Sequence, residues 1–470
     1  MQGLLLLIIC CITLADFCVT NFGFPAALRF SPEMLSAIII LFVLAFGIRN
    51  KFRFVSTKYW LVLGALAFII LAGIITNGVE PGPILAGTRF YLRAIPLFFL
   101  PAVFSFTEQQ VRWQLRLLLA FGLLQVPLAS YQRRVVWLAE RFSGDSVSGT
   151  LMDSGVLSIF LICSVLVLTG LFLRGRVSKF VFFALFFILL FPTTINETKV
   201  TVIILPIGLF AVFLIGAQPG QRLRVAAWAA VMLTAFAALF IPIYDLMEKN
   251  NPYKREIVDF FSDQKKLDAY MENRHAGVGG SQQVGRLDTV VVPLQYLSHD
   301  AVRLAFGLGV GNASHSSLGQ NYSGRYYSLF QRFVYTSLAI FMLEIGILGI
   351  GLVVLLNWMI LADTIAVARA DGTSLTGSIA VGWTGVVIIV SILLAYSVIH
   401  AAESISYLYW YISGIIAARR TQMAIARVSE GTKLPAGHRS NGKTKARAPG
   451  LASSRGKIGR RTAGRAHSSL

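Results

Sequence analysis

The sequence predicts an all-α fold: a polytopic transmembrane helical bundle of about twelve spans, with one large helical loop between spans nine and ten. Three observations carry that prediction. Of 470 residues, 56% are hydrophobic and only 14% are charged, and the mean hydropathy is +0.68. A soluble domain is about half apolar and about a quarter charged, so this chain has too little polar surface to coat a water-soluble body. Apolar runs near the ~20 residues of one bilayer crossing recur along it, and successive loops alternate between rich and poor in Lys and Arg.

The apolar runs fall near 3–20, 33–48, 59–76, 84–106, 114–132, 151–173, 179–191, 200–217, 225–245, 333–357, 377–398 and 402–417. The seventh and the twelfth are short. The first reads as a retained helix and not a signal peptide, because Met1-Gln2-Gly3 supplies no basic n-region and no A-x-A site follows. Basic residues orient the bundle. With the N-terminus inside, the inner loops hold twelve Lys/Arg, from Arg49, Lys51, Arg53 and Lys58 through Arg112, Arg116, Arg174, Arg176, Lys179, Arg222 and Arg224 to Arg369. The short outer loops hold five: Arg29, Arg133, Arg134, Arg141 and Lys199. An even span number returns the C-terminus to the inside.

The segment between spans nine and ten, 246–329, is then extracytoplasmic. Its nine Lys/Arg and eight Asp/Glu nearly cancel. Ile257, Phe260, Phe261, Leu267 and Met271 recur at helical spacing, which predicts an amphipathic helix. A second stripe, Leu287, Val290, Val291, Leu294 and Leu297, follows and must accommodate Pro293. Residues 1–417 thus form a membrane domain, and 418–470 a basic tail. That tail carries thirteen Lys/Arg against Glu430, so it holds +12 of the formal +20. Poor in large apolar residues, it reads as disordered, cytoplasmic and drawn to anionic lipid. It lacks the interleaved aromatics that stack bases, so no nucleic-acid partner is expected. Cys10, Cys11, Cys18 and Cys163 lie in apolar runs without metal-ligand spacing, which excludes a disulfide framework and a metal site from the expectations.

Ionisable groups at membrane depth mark functional paths by default. Arg89 and Arg93 in span four share one helix face, so together they predict an anion-binding funnel at the outer surface, against a plainer reading as snorkelling side chains. Arg133, Arg134, Arg141, Lys199, Arg286, Arg303 and Arg325 add cations on the same side, and guanidinium groups grip phosphate by paired hydrogen bonds. Asp145, Asp153, Glu197, Asp288 and Asp300 supply carboxylates there, with Glu344 inside span ten. His299 and His315 add imidazoles, side chains suited to proton transfer. Gly307-Leu308-Gly309-Val310-Gly311 is no dinucleotide fingerprint, since no βαβ unit surrounds it; it predicts a tight turn of backbone leading toward the bilayer.

Four stretches carry a family likeness. They are Asp145-Ser146-Val147-Ser148-Gly149-Thr150-Leu151 with Leu157-Ser158; Asn196-Glu197-Thr198-Lys199; Arg286-Leu287-Asp288 followed by Phe306 and the glycine run; and Leu343-Glu344-Ile345-Gly346-Ile347-Leu348-Gly349. In order and placement, over about residues 1–417, they resemble the O-antigen polymerase/O-antigen ligase family, the Wzy-type polysaccharide polymerases and ligases related to GT-C membrane glycosyltransferases. The last two stretches are similar to that family's "R…GxGxG" arrangement and its "E-x-G-x-x-G" helix. The ligase branch places a His shortly before that helix, whereas His315 lies 29 residues before Glu344, and this favours a polymerase.

The resemblance implies a bacterial inner-membrane enzyme, with N- and C-termini cytoplasmic and the 246–329 loop periplasmic. Its reaction would join polyprenyl-diphosphate-linked oligosaccharide repeats into an exopolysaccharide or O-antigen, without cofactor or metal. It implies membrane lipid and other polysaccharide export proteins as partners. Motif position assigns Arg286 as the main diphosphate ligand and Lys199 as a helper, while charge alone adds Arg89, Arg93 and Arg325. His299, Asp300 or His315 would take the attacking hydroxyl's proton. The alternatives are an O-antigen ligase, a lipid-linked sugar flippase and a non-catalytic assembly subunit. No repeat relates the two halves, which speaks against the flippase. Tyr296, Tyr322, Tyr326 and Tyr327 read equally as sugar-binding residues or interfacial anchors.

Overall fold

In the computed structural model the described residues are 1–50, 52–138, 146–196, 198–217, 220, 222–248, 262–264, 285–316, 318–333 and 336–432. Apart from 262–264, the expected helix around 257–271 lies outside them, as do Arg141, Asp145, Glu197 and the tail beyond Thr432. Among the described residues the chain is helical, with no strand. It divides into the units Met1–Ile425 and Ala426–Leu470. Of the second, residues 426–432 are described, as the final turns of a helix.

Each apolar run is helical, and 84–106 divides into two helices. The series is α1 (Gln2–Phe22), α2 (Ser31–Arg49), α3 (Thr57–Asn77), α4 (Pro81–Leu92), α5 (Ile95–Val103), α6 (Glu108–Leu138), α7 (Ser154–Leu173), α8 (Lys179–Ile195), α9 (Thr201–Gly216) and α10 (Arg222–Glu248). The later segment adds α11 (Asp288–Leu297), α12 (Ala301–Phe306) and α13 (Tyr327–Phe330), before α14 (Ser337–Ala370), α15 (Leu375–Leu393) and α16 (Glu403–Thr432). Eight of these, α1, α2, α3, α6, α7, α10, α14 and α15, are long and apolar enough to cross a membrane. α4 and α5 form a pair bent by 44°, and α8 and α9 are shorter apolar helices. The protein is therefore a multi-pass membrane protein of the all-α class.

Local chemistry explains the ends. Asp153, Ser178, Thr336 and Ser374 cap α7, α8, α14 and α15 by accepting from the amide three residues on. α4 and α5 part at Arg93-Ala94 because Pro96 sits in the first turn of α5 and withholds an amide from the preceding turn. Pro293 falls inside α11 without ending it. α16 runs past residue 417 to Thr432, since Ala, Arg, Gln and Met favour helix and Arg419 pairs with Asp371 at 2.7 Å.

α15 lies at the centre, with 78% of its span buried. Lipid gives no hydrophobic drive for helices to associate, so close approach at small residues carries the packing. A Cβ on Gly170 of α7 would stand 2.4 Å from the Gly382 nitrogen of α15. α3 and α14 run antiparallel. At one end Asn77 Nδ2 donates to the Gly307 carbonyl at 3.0 Å. At the other, Lys58 Nζ and Tyr59 Oη reach the Asp363 carboxylate at 2.7 and 2.8 Å.

α14 is not continuous. Gly346 takes φ 63°, ψ −171° inside it, a conformation that only glycine adopts without strain. An unbroken helix would direct the Leu343 and Glu344 carbonyls to the amides at 347 and 348. Here the glycine loop satisfies them instead: Leu308 N donates to Leu343 O at 2.6 Å and Gly309 N to Glu344 O at 3.1 Å. The fit is backbone on backbone, because a Cβ on Gly307 (φ +74°) would lie 2.5 Å from the Glu344 carbonyl carbon. Gly307→Ala and Gly346→Ala are each expected to lower stability by at least about 1–3 kcal/mol. Gly351→Ala, in open space on the same helix, should be neutral or stabilising by up to about 1 kcal/mol. Thermal unfolding of the three variants in detergent checks the contrast; equal behaviour would contradict the docked loop.

Candidate functional site

The end of the membrane unit that carries the glycine loop also holds a cluster of buried polar groups. Glu344, 1% exposed, is the centre. Its carboxylate accepts from Tyr91 Oη of α4 at 3.1 Å and lies against the Gly311 and Ala313 amides and the Ser314 hydroxyl. One side chain thus ties α4, α14 and the returning loop together. Above it Leu297, Leu308, Ala313, Phe330, Met342 and Leu343 form a small apolar core. That core packs α11 and the 301–330 segment onto the first half of α14. Tyr296 stands edge-on to Phe330 at 5.0 Å, and Tyr296 and Tyr326 pack against this core instead of standing clear of it.

The structure gives Arg89 and Arg93 carboxylate partners in place of the expected open anion funnel. Arg89 Nε donates to Glu33 of α2 at 2.5 Å. Arg93, with its side chain 4% exposed, bridges Glu33 at 3.1 Å and Glu403 of α16 at 2.8 Å, and also donates to the Ala401 carbonyl. The Arg89 guanidinium lies 5.0 Å from the Phe30 ring centroid. Burial demands this arrangement, since a charge at membrane depth persists only when paired.

Arg286 reaches the turn that joins α15 to α16, its guanidinium 4.9 Å from the Tyr396 ring centroid. On the same turn His400 is enclosed by the rings of Phe341 and Tyr91, at 4.7 and 6.2 Å. Its Nδ1 lies 2.8 Å from Ser337 Oγ. Burial first, and the Arg93 charge second, push its imidazole down to about 3, so it is neutral at physiological pH. Arg286, His400 and Arg93 therefore border the nine-residue turn between Leu393 and Glu403, with Tyr91 leading on to Glu344.

The other expected residues lie around this frame. Asp300 caps α12, accepting from Val302 N at 2.9 Å, and pairs with Arg303 at 3.4 Å. His299 is exposed, with Nδ1 2.7 Å from the Gln295 carbonyl. His315 is exposed beside the Tyr327 ring at 5.3 Å. Arg325 donates to the Asn77 carbonyl at 2.9 Å, and half-buried Lys199 sits between α8 and α9. The 146–151 stretch is held from α6: Gln125 Oε1 accepts from Thr150 N at 2.8 Å and Gln132 Oε1 from Gly149 N at 2.7 Å. Asn196 Nδ2 donates to Ser158 Oγ at 2.8 Å, so the second sequence stretch locks onto the first.

Fold and site together define a multi-pass membrane protein with a buried polar frame at one end. No protein-family model matches the chain, and no curated protein matches it.

Sequence reading missed Glu33, Glu403, Tyr91, Tyr396 and His400. One signal was present, because Glu33 and Glu403 each open an apolar helix in a chain with few acids. Removing one member of a buried pair strands the other charge, which costs about 3–5 kcal/mol. Arg93→Ala is therefore expected to lower stability by about that much in detergent unfolding. Arg29→Ala, breaking the exposed pair with Asp16, should cost less than about 1 kcal/mol. Equal small losses would show that the Arg93 network is not structural.

Proposed function

We propose that this protein is a membrane glycosyltransferase that polymerises polyprenyl-diphosphate-linked oligosaccharide repeats of an exopolysaccharide or O-antigen, at the periplasmic face of the bacterial inner membrane. The carrying observation is that two of the stretches with the family likeness meet in space: the 307–314 loop seats on the Leu343–Gly346 break and is tied there by Glu344. In this reading all twelve segments cross the bilayer: the eight long helices, the bent α4–α5 pair, α8, α9 and the first half of α16. The end rich in Arg and Lys faces the cytosol, which places the glycine loop and Arg286 outside.

Chemically, a hydroxyl of one lipid-linked unit attacks the anomeric carbon of the growing chain. The bond from that carbon to the diphosphate oxygen breaks, and the carrier leaves with the negative charge. Fixed cations stabilise the charge as it grows. Arg286, oriented by the Tyr396 ring, is assigned as the main diphosphate ligand, with Lys199 and Arg325 as helpers. Arg89 and Arg93 become positioning residues, because Glu33 and Glu403 already neutralise them. Of the candidate bases, Asp300 is committed to capping α12, so the exposed imidazole of His315 is the better acceptor for the hydroxyl proton, ahead of His299.

Removing one donor to a developing anion typically costs about 10²–10³ in rate. Arg286→Ala at normal protein level is accordingly expected to abolish long-chain polymer and leave single repeats outside the cell membrane, as scored on glycan gels of the producing strain. Long polymer left on its carrier in the deletion strain would point to a ligase, and repeats trapped inside would point to a flippase. Normal polymer in Arg286→Ala would defeat the assignment.

A further inference from the structure

At the opposite end of the membrane unit a cavity of about 490 Å³ opens among α6, α7, α8, α15 and α16. Its size falls within the ~300–1,000 Å³ of small-molecule sites. The walls are apolar, as at Leu118, Leu168 and Ile412, while its mouth carries three cations, Arg112, Arg116 and Arg176. Along α7 it extends from Phe160 to Leu171, which at 1.5 Å per residue is about 16 Å. That is close to half of the ~30 Å hydrocarbon core, or one leaflet.

The charges at the mouth do not cancel. Arg112, half exposed, faces Glu108 at 3.7 Å, and Glu108 also accepts from Leu375 N at 3.1 Å. Arg176 donates to the Thr373 carbonyl. Arg116 stacks over Trp113 at 5.3 Å and has no carboxylate partner among the described residues. One acid against three guanidiniums leaves net positive charge above an oily slot one leaflet deep.

We propose that this cavity binds an anionic phospholipid of the cytoplasmic leaflet, with an acyl chain in the slot and the headgroup phosphate held by Arg116 and Arg176. Guanidinium groups bind phosphate oxygens through paired, charge-assisted hydrogen bonds. A free anion would leave the apolar walls unfilled, and a zwitterionic lipid would meet uncompensated positive charge. The proposed phosphate site is separate from the diphosphate reading above, because Arg112 and Arg116 open α6 and Arg176 follows α7, at the other end of the bundle from Arg286 and His400.

The test uses the full chain in nanodiscs of phosphatidylcholine with a minor share of phosphatidylglycerol, followed by delipidation and mass spectrometry of the retained lipid. Wild type is expected to retain phosphatidylglycerol over phosphatidylcholine by at least about tenfold, the scale of one charge-assisted hydrogen bond. The double variant Arg116→Gln/Arg176→Gln should lose that selectivity. Ser164→Trp, which fills the slot without touching the arginines, should lose retention of both lipids, and Arg134→Gln at the far end should change nothing. Inorganic phosphate should not displace the lipid. Wild-type retention without preference for phosphatidylglycerol, no retention at all, displacement by phosphate, or unchanged retention in Ser164→Trp would each overturn the proposal.

Discussion

Two hydrogen bonds between pieces of irregular backbone organise one end of this protein. In a membrane, a carbonyl released from its helix has no water to turn to and must find an internal donor. α14 releases two, at Leu343 and Glu344, by breaking at Gly346, and the amides of Leu308 and Gly309 answer them. Glycine at 307 lets the two backbones approach to a distance that any side chain would prevent. The Glu344 carboxylate then fixes the rest of the loop and reaches Tyr91. From Tyr91 the path continues past His400 to Arg93 and its two glutamates. A break in a helix is thus converted into a rigid polar frame.

The same economy governs the charges. At the loop end the deep arginines are matched by acids from helices far away in sequence, so they hold helices together. At the other end Lys58 and Arg419 meet Asp363 and Asp371, while of Arg112, Arg116 and Arg176 at the mouth of an apolar slot only Arg112 pairs with an acid among the described residues. A matched cation is part of the scaffold. A surplus of cations over oily walls is suited to an amphiphile.

Much of the fold was legible in the sequence. Every apolar run is helical, with 84–106 split in two, because an apolar helix announces itself through composition within one short window. The glycine run was readable as a turn, since three glycines with alternate spacing take positive φ at 307, 309 and 311. What it docks onto was hidden: Gly346 sits in an apolar run that reads as unbroken helix. Arg89 and Arg93 were visible as a same-face pair, yet their partners lie 56 and 310 residues away, beyond the reach of local spacing. Asp300 reads from the sequence as a candidate proton acceptor, and the packing adds that it caps the helix opening at Ala301. Residue type told where charge would collect, and only the packing told which charges are already spent.

Amide hydrogen exchange of the full chain in lipid nanodiscs reads the central contact directly. If Leu308 and Gly309 donate to the broken helix, peptides covering 305–314 should exchange as slowly as those covering 338–352, and Glu344→Gln should speed the loop more than the helix. Exchange of 305–314 within seconds, at the rate of an unstructured loop, would contradict the docked loop and remove the frame on which the site is built.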